Sequence, residues 1–163
     1  MSAAPTPADP PSGRALGREI AFLAACHLDQ VGEARGAGDV EDFWAQASAN
    51  EGGESFAERL EQDRKARTFA DELLTHLLDH WEDVDAALEE LSERWRLARM
   101  DQVDRNVLRI ACTESRGGFG TPPGVIAAES VKLAGRYGAE RSGTFVNGLV
   151  ANLVRDVNEA PGA

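Results

Sequence analysis

Leu16, Ile20, Leu23 and His27 recur at the i, i+4, i+7, i+11 spacing of one helical stripe, which predicts a helix from Ser12 to about Val31. The same wheel puts Arg14, Arg18, Ala21 and Ala25 on the opposite side, so both arginines are expected to point to solvent. Gly32, Gly36 and Gly38 then break the helix. Asp39 can cap a short acidic helix through Phe43 and Trp44, ended by Asn50 to Gly53. Ser55, followed three residues later by Glu58, has the capping-box pattern of a longer helix. Its apolar positions Phe69, Leu73, Leu74, Leu77, Leu78 and Trp81 keep helical spacing. Val84 to Trp95 adds another, with Leu88, Leu91 and Trp95 on one face.

The second half repeats the pattern. Asp101 starts a helix that carries Val103, Val107, Ile110 and Ala111 inward, while Asp101, Arg105 and Arg109 are spaced for i, i+4 pairing outside. Arg116 to Gly120 is a loop. Thr121-Pro122 reads as an N-cap with proline in the first turn, and Gly138 stops that helix after Tyr137. Its inner stripe is Ile126, Ser130, Leu133, Ala134 and Tyr137. Ser142 caps the last helix, with Val146, Leu149, Val150, Leu153 and Val157 facing in. No strand-length alternating segment occurs. The prediction is an all-α, single-domain bundle of about seven helices over residues 13–158, with a disordered proline-rich leader at 1–12 and a flexible tail at 159–163.

Charge changes the picture most. The net charge is −11, which opposes a nucleic-acid surface unless cations cluster locally. They are unevenly spread: residues 1–98 carry 9 basic and 21 acidic side chains, a net of −12, while residues 99–157 carry 8 and 6, a net of +2. Cys26 and Cys112 stand far apart inside predicted helices, a usage that suits a reducing cytosol. The start lacks the positive residue and apolar run of a signal peptide, and the longest apolar stretch, Ile20 to Cys26, is too short to cross a bilayer. The expectation is a cytoplasmic protein.

Candidate chemistry is sparse. His76 and His80 share a helix face as in zinc proteases, but the general-base glutamate those enzymes need after the first histidine is Leu77 here. Gly117-Gly118-Phe119-Gly120 lacks the lysine of a phosphate-binding loop and follows no strand. No nucleophile elbow is present. Neither catalysis nor a cofactor or metal is expected.

One region carries more specific information. Val103 to Ala111 (VDRNVLRIA), Val125 to Ala134 (VIAAESVKLA), Tyr137 to Ser142 (YGAERS) and Phe145 to Gly148 (FVNG) form four ordered blocks. They resemble the signature blocks of the NusB family of transcription antitermination factors. The resemblance implies a non-enzymatic helical bundle that binds boxA RNA together with a small-subunit ribosomal protein (NusE), within a transcription elongation complex. It places RNA contacts at the start of the first helix and around the FVNG block. Carried over, the RNA-facing residues are Arg14, Arg18, Arg116, Arg141, Ser142 and Phe145, and the partner-facing residues are Asp104, Arg105 and Cys26. A homodimer stays open. The departures concern charge: Ala15, Leu16 and Gly17 thin the arginine stretch usual in the family, and Cys26 replaces its aromatic. A second reading is therefore a divergent protein-interaction module that has lost specific RNA binding.

Overall fold

A computed structural model of the chain describes residues 13–48, 58, 61–92 and 95–159. Seven α-helices are bounded among them: α1 (Gly13–Val31), α2 (Ala37–Ser48), α3 (Arg64–Asp79), α4 (Trp81–Leu91), α5 (Gln102–Arg116), α6 (Pro123–Tyr137) and α7 (Ser142–Glu159). Short 3-10 turns cover Gly32–Ala34 and Leu97–Arg99, and no strand occurs among the described residues. No described helix is long and apolar enough to cross a membrane. The all-α expectation holds. The leader 1–12 and most of the tail 159–163 lie outside the described residues, as does Ser55.

The first helix is where the periodic reading failed. α1 packs on α3, α5 and α2 at once, so it is the central post of the bundle rather than a surface helix. Leu16, Ile20, Phe22 and Leu28 are buried, but so are Ala21 and Ala25, which the wheel had put on the solvent side. Arg18 is buried with them, only 4% exposed, which corrects its expected position. Close approach of α1 to α3 depends on Gly17, whose absent Cβ would sit 2.5 Å from the Ala66 carbonyl oxygen.

Asp63 ties the starts of these two helices together. Its Oδ1 accepts from the Ala66 backbone N–H at 3.0 Å, capping α3, and its Oδ2 accepts from the Gly13 N–H at 2.7 Å, capping α1. The two bonds hold the carboxyl below the usual carboxylate range. The run from Phe69 to Trp81 is not one helix: the His80 N–H bonds to the carbonyls of His76 and Leu77, and α4 begins afresh at Trp81. That break turns the Trp81 ring into the core, where it is 2% exposed. Trp95, which spacing groups with Leu88 and Leu91 on one face, is 52% exposed.

α6 and α7 are joined by only four residues, which makes them antiparallel neighbours, and they pack closely through Ile126, Leu133, Ala134, Val146, Val150 and Leu153. α6 starts one residue later than expected, with Pro122 as its cap residue, and it ends at Gly138 as predicted.

Candidate RNA and partner interface

Two of the three cations of α5, Arg105 and Arg109, turn inward, not outward. Arg105 Nε donates to Asp29 Oδ2 at 2.6 Å, and Asn106 Nδ2 donates to the same oxygen at 2.9 Å. Arg109 grips Asp85 with two bonds of 2.7 and 3.0 Å and lies 4.5 Å over the Trp81 ring. The i, i+4 pairing expected along the outer side of α5 is thus replaced by bonds to α1 and α4. Desolvation alone would raise the Asp29 pKa, but the Arg105 and Asn106 hydrogen bonds and the Arg109 charge outweigh it and leave the carboxyl below its ordinary value. Cys26 belongs to the same junction: its carbonyl accepts from Gln102 Nε2 at 3.2 Å, and burial, helped by Asp29, pushes its thiol up to about 11. Arg105 and Cys26 therefore hold α1 and α5 together.

A second set of buried charges joins α1 to α5 and α6. Arg18 meets Glu114 through Nε and Nη2. Glu19 accepts from Arg136 Nη1 at 2.8 Å and from the Tyr137 hydroxyl at 2.6 Å. Desolvation and the Glu19 carboxylate push the phenol up to about 12.

Of the polar residues in the VDRNVLRIA block, Asp104 faces a cavity. This cavity, of 310 Å³, is lined by Asp104 with Trp95, Arg99, Arg141, Ser142 and Phe145 among others. Ser142 and Phe145 come from the first turn of α7 and Arg141 from the residue before it, so one residue expected to face the partner and three expected to face RNA converge. Asp104 is 7% exposed, and its Oδ1 has no hydrogen-bond partner among the described residues. Desolvation by burial raises its pKa, Ser142 opposes this as a donor, and Asp101 adds to it. A buried, incompletely satisfied carboxylate beside an exposed tryptophan is a site poised for a cationic or hydrogen-bond-donating group.

The other residues expected to face RNA lie elsewhere. Arg116 is exposed in the last turn of α5, twelve residues from Asp104, or about 18 Å at the α-helical rise. Arg14 sits near that far end, donating to the Phe119 carbonyl at 2.9 Å and to Thr121 Oγ1 at 3.2 Å, with its guanidinium 4.7 Å from the Phe69 ring centre. It shares a groove with Arg64 and Lys65, which sequence reading did not single out. No sequence signal links them to Arg14; the link is Asp63, which brings the two helix starts together. The candidate set therefore splits into two groups at opposite ends of α5. His76 and His80 stack with ring centres 4.3 Å apart, and no group of three potential metal ligands occurs among the described residues.

Comparison with known proteins gives one answer. A family model described as "NusB family" matches residues 16–155. The transcription antitermination protein NusB of Desulfitobacterium hafniense is 37% identical over 146 residues, covering 90% of each chain. That of Sorangium cellulosum is 34% identical, covering 88% of this chain and 93% of its own. Among solved structures, T. maritima NusB superposes with a TM-score of 0.72 at 26% identity, covering 89% of this chain and 92% of that one. A NusB chain solved with NusE and double-stranded RNA shares the fold, at a TM-score of 0.68 and 22% identity, over 87% of this chain and 96% of its own.

Proposed function

Because this chain belongs to the NusB family, whose members are not enzymes, we propose that it acts in transcription antitermination by binding boxA-type RNA jointly with a small-subunit ribosomal protein in the NusE role, promoting ribosomal RNA transcription. The observation that carries this reading is the cavity where Asp104 meets Arg141, Ser142 and Phe145. Phe145 and Trp95 offer ring faces on which unstacked bases can lie, and Arg99 and Arg141 offer cations for phosphates. Asp104 is the acceptor for a basic residue of the protein partner. Ribosomal proteins are basic as a class, so a chain of net charge −11 attracts one over long range. Because Ser142 and Asp104 line the same cavity, a partner at the carboxylate and an RNA at the head of α7 contact neighbouring groups. Whatever change one ligand makes in the affinity of the other is then returned by the same factor.

The test is a fluorescence-anisotropy titration of boxA-containing RNA at two salt concentrations, with and without the ribosomal protein. Salt-sensitive binding that tightens with the partner and falls at least tenfold in Phe145→Ala or Arg141→Ala is expected. Partner binding without RNA binding would replace this reading with that of a protein-interaction module.

A further inference from the structure

We infer that the groove between α2 and α3 is a docking site for a basic amphipathic helix of a partner protein, separate from the cavity at Asp104. The groove encloses 290 Å³ and shares no lining residue with that cavity. It exists because α2 is seated on α1 through another of its faces. Phe43 turns toward α1, its ring centre 6.1 Å from that of His27, and among the described residues α2 packs on α1 far more than on α3. Ala37, Val40 and Trp44, at the i, i+3, i+7 positions of the neighbouring stripe, look instead across the groove to Leu74, Thr75 and Leu78 of α3.

The lining suits a helix. Val40, Trp44 and Leu78 are half-buried and Ala37 and Thr75 are exposed, so apolar area is left for a partner to cover. The α3 side runs from Arg67 to Leu78, about 17 Å at the α-helical rise, or about three turns. A partner helix can set apolar side chains from one stripe into such a groove. A strand fits it poorly: the backbone groups along both walls are spent within α2 and α3, so a strand's own donors and acceptors would find no partners there.

The charge of the groove selects that of its partner. α2 carries Asp39, Glu41 and Asp42 and no basic residue. The arginines and the lysine of α3 all lie in its first turn, and beyond them stand Asp71, Glu72 and Asp79. Arg67 is the one base among the lining residues, and it is committed: it donates to Asp71 Oδ2 at 3.0 Å and lies 3.8 Å over the Trp44 ring. That leaves Glu41 in the groove, with Asp42 beside it on α2 and Asp79 just past Leu78, all three exposed, to meet lysines or arginines that flank the partner's apolar stripe. The same carboxylates repel phosphates, so this face is not a place for RNA.

The experiment titrates the full chain with a fluorescent synthetic peptide of about 15 residues, with leucines at helical spacing on one face and lysines on the other. Anisotropy is expected to show saturable, one-to-one binding by wild type. Thr75→Trp, which fills the groove from an exposed position, should weaken it at least tenfold while leaving the thermal melt unchanged. Glu41→Gln with Asp42→Asn should weaken it severalfold and flatten its dependence on salt. A peptide of the same composition with its leucines scattered should bind at least tenfold more weakly, and saturating ribosomal protein should leave wild-type binding as it is. No saturable binding by wild type overturns the inference. So does equal binding of the scattered peptide, or an unchanged affinity in Thr75→Trp, since charge alone would then hold the peptide. Displacement by the ribosomal protein would make the groove part of the interface proposed above and overturn its separateness. Self-association of the chain that is abolished by Thr75→Trp would assign the groove to a second copy and overturn the inference as well.

Discussion

Arg18 and Glu114 face each other through two parallel hydrogen bonds of 2.6 Å, with 4% and 0% of their side chains exposed. The family resemblance makes this arginine of the first helix an expected RNA contact, and the geometry gives it a structural job. It neutralises a carboxylate buried between α1 and α5, and the guanidinium lies 5.5 Å from the Phe69 ring. Arg105 and Arg109 are committed in the same way to Asp29 and Asp85. Only when these structural cations are set aside do the surface ones, Arg14, Arg64, Lys65 and Arg141, stand out.

Arg18→Ala should therefore cost stability far more than it costs RNA affinity. Removing one partner of a buried ion pair leaves the other charge uncompensated, a loss of about 3–5 kcal/mol. Urea denaturation should show it as a lowered midpoint with little change in slope. Arg18→Met combined with Glu114→Leu should recover much of the loss. A stable Arg18→Ala protein that has lost only RNA binding would mean the side chain is a surface ligand after all.

Two glycines should respond to alanine with opposite signs. At Gly17 the new Cβ meets the Ala66 carbonyl oxygen at 2.5 Å and the Phe69 Cβ at 3.2 Å, so α1 and α3 must separate, at about 1–3 kcal/mol. At Gly135, exposed in α6 with nothing within 4 Å, alanine should stabilise by about 0.5–1 kcal/mol through reduced backbone entropy. Thermal melts of the two variants, run side by side, decide it.

These positions also show what the sequence could and could not convey. Apolar spacing located the later helices well, because α6 and α7 each bury one face, and Gly138 marked a true end. It misread α1 because a helix packed on α2, α3 and α5 has little solvent face in its middle turns, and the charges there, Arg18 and Glu19, are satisfied by residues about a hundred positions away. The wheel sees only local neighbours. It also ran α3 through to Trp81, where the backbone at His80 breaks the helix without any glycine or proline to signal it. The site divides the same way: Asp104, Arg141, Ser142 and Phe145 were readable from family blocks, whereas Arg64 and Lys65 join Arg14 only through the shared cap at Asp63.

The two thiols should be inert in the native protein and unequal. Burial pushes both up to about 11, so at pH 8 each is almost wholly protonated, and the thiolate is the reactive form. Cys112 is fully enclosed in α5, while Cys26 is partly exposed on α1. A disulfide-exchange reagent should label Cys26 slowly, and Cys112 only at the rate of unfolding, which mass spectrometry of timed samples would resolve. Fast labelling of Cys112 without denaturant would show that α5 opens locally.

Asp104 offers a test in which stability and binding should move in opposite directions. Its folded pKa is raised, chiefly by burial, so the folded state favours the protonated form more than the unfolded chain does. The associated stability is fully present below the unfolded value of 3.8 and is lost as pH rises through the raised folded value. Near neutrality the ionised carboxylate is thus a net cost, and Asp104→Asn, of nearly the same shape, should remove it. The variant should melt higher at pH 7, with the gain shrinking to nothing as pH falls toward 3. If the carboxylate is kept for a basic residue of the ribosomal protein, the same substitution should weaken that complex at least tenfold, since a desolvated charge pair is replaced by a neutral contact. Calorimetry of the complex beside melts of the free chain reads both quantities. A variant less stable than wild type at pH 7 would show that the ionised carboxylate's favourable contacts outweigh burial, and a variant with unchanged partner affinity would move the protein interface away from this cavity.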